Sequence, residues 1–361
     1  MTNKEITNAY YGSDQVEKIY LGSDVIWPAQ EPGPEPAHDY SKDYLTIEVV
    51  GDPGYEGALT IRNNLVQYSL NGGPWTNNTI LDYLHPGDII RFRGNENSAT
   101  GQGNFSGNTL QFKVYGNIES LEYGDNFSGQ TATRFSGSFQ NCFRGCTGLT
   151  DASNLVLPAT ALTSSCYYNM FYGCTSLTTA PELPATTLAN TCYNGMFNRC
   201  ASLTKAPELP ATTLVMGCYS GMFNSCTSLT TAPVLPATTL YSGCYQNMFS
   251  GCTNLERAEI HSTTVGSSQA TNMFSNCTAL KEIICLFENP NSSYTRNWVT
   301  NVASSGTFYK SPNASAWPTG TSGIPSGWRV ENYIEDCWNN WQKEGYMDYE
   351  DCTCMKYGDC P

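Results

Sequence analysis

The chain has 361 residues, 40% of them hydrophobic, and a formal net charge of −14 at pH 7. That apolar share suffices for an ordinary globular core, whereas the excess of acid argues against nucleic acid as a direct ligand, because phosphate binding needs clustered Lys and Arg. No apolar stretch nears the about 18 residues of a membrane span, and the first residues lack the basic-then-apolar order of a secretory leader. The expectation is a protein that stays where it is made unless it leaves inside something larger.

In chain order, residues 1–27 carry "GSDQV" and "GSDVI" around "EKIYL". Gly-Ser-Asp is turn chemistry between apolar and aromatic residues, which predicts short hairpin strands too small to stand alone. This reads as a docking module, with Tyr11, Val16, Ile19, Tyr20, Leu21, Ile26 and Trp27 as the docking residues. Residues 28–39, with "PAQEPGPEPA", read as a stiff linker. From 40 to 137, runs such as "YLTIEVV", "VQYSLNGGPW", "DIIRFRGN" and "LQFKVYGNI" alternate with turn signals at Asn71-Gly72-Gly73 and His85-Pro86-Gly87, predicting an antiparallel β-sandwich.

Residues 138–286 are repetitive. Cys146, Cys174, Cys200, Cys226, Cys252 and Cys277 recur every 25 to 28 residues. Such a period means a solenoid, here of about six coils, in which each coil buries itself against its neighbours. Placing 192–200 on a helix of about 100° per residue collects Cys192, Tyr193, Met196, Phe197 and Cys200 on one stripe and leaves Asn194, Gly195, Asn198 and Arg199 outside. A short helix is therefore expected there, followed by a strand segment such as "TTAPELPATTL", in which Pro181 marks a bulge or break. The fold class expected for the whole is α+β.

The inward cysteines read as small apolar filler. C-x7-C spacing and the absence of His from these segments disfavour zinc. Disulfides between coils stay geometrically conceivable, although Ser138 and Gln269 replace the first cysteine in the end coils. A single coil has too few buried side chains to offset its ordering entropy, so the array needs caps, for which the sandwich and residues 287–330 are the candidates. Residues 331–361 form an acidic tail with Trp338, Trp341, Cys337, Cys352, Cys354 and Cys360. Local disulfides, a zinc site and free thiols all remain open there. His38, His85 and His261 are the only histidines, and no G-x-S-x-G, H-E-x-x-H or P-loop is present. Outside that tail no metal is expected, and neither catalysis nor a cofactor is expected in the chain.

The pattern "MFxxCTSLTTAPELPATTLxxxCY" resembles BspA-like leucine-rich repeats. "YSLNGGPW", "VYGNIESLEYGDNFSG" and "ASNLVLPAT" are similar to the leader domain of such proteins from gut bacteria and their phages, and "NWVTNVASSGTFYKSP" with "GIPSGWRVE" to their C-terminal cap. "YYGSDQVEKIYLGSDVIW" is similar to a short motif of phage structural proteins. The resemblance implies a leucine-rich-repeat solenoid used for adhesion or protein interaction. The expected role is a phage virion component (fibre, decoration or host attachment) made in the host cytoplasm. It would dock other virion proteins and copies of itself through the N-terminal module, and a host surface protein or glycan through the repeats. The alternative is a bacterial cell-surface adhesin. Repeat proteins commonly bind through the concave, strand-bearing face, where Thr179, Glu182, Lys205, Glu208, Thr231, Val234, Glu256 and Arg257 are the candidates. The rival patch is the outward side of the expected helices, with Tyr168, Tyr172, Asn198, Arg199, Asn224 and Gln246.

Overall fold

The computed structural model describes residues 10–11, 14–15, 19–21, 24–27, 38–52, 54, 56–62, 66–94, 105–106, 110–238, 240–266 and 268–333. Two units divide the chain, 1–39 and 40–361. In the first, β1 (Tyr10–Tyr11) pairs antiparallel with β2 (Asp14–Gln15), and β3 (Ile19–Leu21) with β4 (Asp24–Trp27). Two residues, Gly then Ser, separate the strands of each pair, as the turn chemistry predicts. Val16, residues 28–37 of the linker and the tail from 334 lie outside the described residues.

The second unit opens with β5 (Leu45–Val50), β6 (Gly57–Ile61), β7 (Val66–Leu70), β8 (Ile80–Leu84), β9 (Ile89–Gly94), β10 (Phe105–Ser106) and β11 (Gln111–Asn117). Alternate residues point inward, as a strand's two-residue period requires: Leu45, Ile47 and Val49 on β5, Ile90 and Phe92 on β9, Phe112 and Val114 on β11. The strands form two sheets. One runs β10-β6-β8, and the other contains β11-β5-β9-β7. These pairings are antiparallel, and Phe92 on the larger sheet meets Phe105 on the smaller at 4.8 Å between ring centroids. After α1 (Ser120–Tyr123) the larger sheet gains a parallel edge, because β12 (Leu149–Asp151) and β13 (Leu155–Val156) of the first coil both pair with β11. The leader is thereby the solenoid's first rung. Gly148 makes this join close, since a Cβ there would collide with the carbonyl oxygen of Leu110.

The expected helix is absent. Residues 190–199 and their counterparts are a spiral of turns, for two connected reasons. Every fourth residue is left-handed: Thr191, Gly195 and Arg199 at φ 57, 62 and 63°, then Gly217, Gly221 and Ser225 at 62, 59 and 60° in the next coil. A right-handed helix cannot contain such residues. The amides also split their bonds. Tyr193, Gly195, Phe197 and Arg199 donate across to the carbonyls of Cys218, Ser220, Met222 and Asn224 at 2.7–3.0 Å, while Asn194, Met196, Asn198 and Cys200 donate three residues back within their own coil.

A four-residue period keeps the inward set that a 3.6-residue helix would give. Cys192, Met196 and Cys200 are four apart, as are Tyr193 and Phe197, and all five are at most 1% exposed. Stacked coils turn these positions into columns. One column of rings runs Phe105, Phe143, Phe171, Phe197, Phe223, Phe249 and Phe274, with stacked centroids 5.2–5.7 Å apart, and ends against Trp298 at 5.9 Å. A second column contains Phe139, Tyr167, Tyr193 and Tyr219.

On the strand side, Pro181, Pro207 and Pro233 occupy one column. Proline has no amide to give a ladder, and there the strand pairing shrinks to isolated bridges such as Asp151 to Thr179 and Thr179 to Lys205, with scattered amide bonds between coils such as Thr178 to the Thr150 carbonyl and Ser202 to the Thr175 carbonyl. Where Glu259, Ile284, Tyr309 and Glu331 take the same place, a regular parallel sheet forms from β14 (Arg257–Ile260), β15 (Glu282–Cys285), β16 (Thr307–Lys310) and β17 (Arg329–Asn332). The segment expected as a cap thus extends the sheet by two rungs. It closes the core with Trp298, Trp317, Phe287 and Phe308, and the indole N–H of Trp298 donates to the Gly323 carbonyl at 2.8 Å.

Candidate binding faces

The twelve cysteines of the described residues are all buried, and no disulfide joins any two of them, so the disulfides held open between coils do not form among them. Burial pushes the Cys192, Cys244 and Cys252 thiols up to about 12, which leaves no thiolate for nucleophilic or metal chemistry at neutral pH. The second-cysteine column does more than fill space. Each thiol donates to the carbonyl of a Phe one coil earlier: Cys174 to Phe143, Cys200 to Phe171, Cys226 to Phe197, Cys252 to Phe223 and Cys277 to Phe249, at 3.0–3.1 Å. Those carbonyls already accept an amide three residues on, so the thiol takes the second lone pair and ties coil to coil. This explains why that column continues through the end coils while Ser138 and Gln269 enter the other.

On the strand side, Thr179, Glu182, Lys205, Glu208, Thr231, Val234, Glu256 and Arg257 are all exposed. Its C-terminal part is electrostatically self-satisfied. Lys281 meets Glu256 at 2.7 Å, and Arg257 meets both Glu282 at 2.5 Å and Glu259 at 3.0 Å. His261 bonds Glu259 at 2.5 Å and, with Arg257, holds that carboxyl below the usual range. Charges already paired have less to offer a ligand.

The turn side differs. Arg199 is exposed, whereas Tyr168, Tyr172, Asn198, Asn224 and Gln246 are half-buried, held between neighbouring coils. Tyr172 is flanked by arginines from the coils on either side, with the guanidinium carbon of Arg144 5.0 Å and that of Arg199 5.6 Å from its ring centroid. Sequence reasoning did not single out Arg144. The signal was present, because Arg144 lies two residues before Cys146 just as Tyr172 lies two before Cys174.

A second unforeseen group sits where the leader meets the first coils. Glu119 is fully buried and neither carboxylate oxygen has a hydrogen-bond partner among the described residues. Burial first, and the neighbouring Glu122 second, push its carboxyl up to about 9. Glu122 accepts the Arg134 amide at 2.9 Å on one oxygen and leaves the other without a partner, and the buried Tyr167 hydroxyl also has none. With 0% and 1% exposure, Glu119 and Glu122 cannot meet a substrate. They weigh on stability instead. Among the described residues no three His, Cys, Asp or Glu side chains come together as a metal-binding set.

The family model of the BspA type leucine rich repeat region matches the chain in 6 copies, over residues 139–245 and 190–299. No curated protein and no solved structure matches it. From Phe139 to Trp298 the matched span follows the columns of Cys, Met, Tyr and Phe described above, and the repeats within it are of the BspA leucine-rich type.

Proposed function

We propose that the protein is a non-enzymatic repeat protein that displays its solenoid on a surface for adhesion. The observation that carries this reading is the BspA-type repeat itself, whose chemically versatile residues, the cysteines, are spent inside the core. What remains outside is an array of Thr, Asn, Tyr, Lys and Glu on regular rungs, suited to contact rather than to bond-making.

In finer terms, the surface is that of a phage particle. The protein is a fibre, decoration or host-attachment component, docked to other virion proteins and to copies of itself through Tyr11, Val16, Ile19, Tyr20, Leu21, Ile26 and Trp27, with the repeats meeting a host surface protein or glycan. Support comes from the likeness of "YYGSDQVEKIYLGSDVIW" to a phage structural motif and from the division of the chain into two units, of which residues 1–39 are one. The alternative, a bacterial cell-surface adhesin, draws on the repeat type alone. Quantitative mass spectrometry of density-purified virus particles beside the outer-membrane fraction of the same culture separates them. Enrichment in particles is expected, and enrichment in the membrane fraction would replace the virion reading with the adhesin.

A further inference from the structure

The turn side carries a local charge opposite to that of the whole chain. Between residues 126 and 255 the acids are Asp151, Glu182 and Glu208, each in the strand segment of its coil, so the turn segments there hold none. Arg144 and Arg199 project from those segments, both exposed. Neither forms an ion pair with any described residue, unlike Arg93, Arg257 and Arg329. Each instead lies over Tyr172. Cation–π contact orders a guanidinium without consuming its N–H donors. Two ordered, unpaired guanidiniums two coils apart, in a chain of net charge −14, are a place for oxyanions spaced along a polymer.

Resting on the display reading above, we propose that Arg144, Tyr172 and Arg199 form a clamp for the acidic groups, carboxylate or sulfate, of a polysaccharide lying along the turn side. The surroundings favour a glycan over an acidic peptide. A peptide docking by strand addition needs an open backbone edge, and here the amides of 193–200 are consumed, alternately by the next coil and by the carbonyl three residues back. Sugar hydroxyls need only side-chain partners, and the half-buried Tyr168 and Asn194 of the same turn segments provide a phenol and an amide. Arginine binds carboxylate or sulfate in a fork, so the charge supplies affinity and the hydroxyl contacts supply selection.

The test uses the full chain and four immobilised polymers: polygalacturonate for carboxylate, dextran sulfate for sulfate, neutral dextran and polyglutamate. Binding to polygalacturonate, dextran sulfate or both, weakening as salt rises, is expected, and which of the two binds identifies the acidic group. The R144A/R199A double variant should lose at least about tenfold in affinity, with its circular dichroism unchanged because both side chains are exposed, while K113A, at an exposed lysine of β11 in the leader, binds as the parent does. Undiminished binding by the double variant, equal binding to polyglutamate, or no binding to either acidic glycan would each overturn the clamp. None of these results touches the particle-enrichment measurement, so the clamp can fail while the display reading stands.

Discussion

The two sides of the solenoid are held together differently. On the turn side every second amide crosses to the next coil, the second-cysteine thiols cross in the other direction, and one column of rings runs from Phe105 to Trp298. On the strand side Pro181, Pro207 and Pro233 reduce the pairing to isolated bridges and scattered amide bonds until β14, after which a continuous parallel sheet takes over. A repeat of this kind therefore does not rest on its β-sheet. Its spine is the turn ladder and the aromatic column behind it, so the outer turn residues stand on the stiffer face. A preordered platform lowers the entropy cost of binding, which is a physical reason to look for recognition there.

The largest effect expected from breaking this comparison is at the spine. Phe197→Ala removes a fully buried ring stacked on both neighbours, 5.4 Å from Phe171 and 5.6 Å from Phe223, and should cost about 3–5 kcal/mol. On the strand side, Lys205→Ala should change stability by less than about 0.5 kcal/mol. Urea denaturation of the two variants reads the difference, and equal losses would erase the distinction between the sides.

A pH series sharpens it next, at the join between leader and solenoid. The Glu119 carboxyl lies near 9 in the folded protein against 4.5 ordinarily, so between those values the folded state holds a proton that the unfolded state has released. Stability must then fall as pH rises through that window, at up to about 1.4 kcal/mol per pH unit from this group. Glu119→Gln should flatten the slope in thermal melts from pH 5 to 9, and an unchanged slope would mean that Glu119 is not the group responsible. The smallest effect is at Tyr219, whose hydroxyl is buried without a hydrogen-bond partner among the described residues. Tyr219→Phe should raise stability by about 1 kcal/mol, because it removes an unsatisfied polar atom and keeps the ring. A loss on melting would show that the hydroxyl is satisfied after all.

Much of this was legible in the sequence. The period gave the solenoid, and the fixed Cys, Tyr, Met, Phe and Cys positions gave its buried columns. The same residues misled on local conformation, because over nine residues a period of four and one of 3.6 select nearly the same inward set. The better clue was glycine or asparagine at every fourth position, as in Gly217 and Gly221 or Gly243, Asn247 and Gly251. Thr191, Arg199 and Ser225 obscure it by adopting φ near 60° without being either. Proline in the strand segment correctly signalled interruption, whereas the Arg–Tyr–Arg cluster was hidden because its members come from three coils and meet only once the register is set.

Hydrogen–deuterium exchange across the native chain tests the central claim most directly. The amides of Tyr193, Gly195, Phe197 and Arg199 should exchange only through global unfolding, while those of Glu182 and Glu208, beside the strand-side prolines, should exchange orders of magnitude faster. Protection of Glu182 and Glu208 equal to that of the turn amides, or rapid exchange on the turn side, would contradict it.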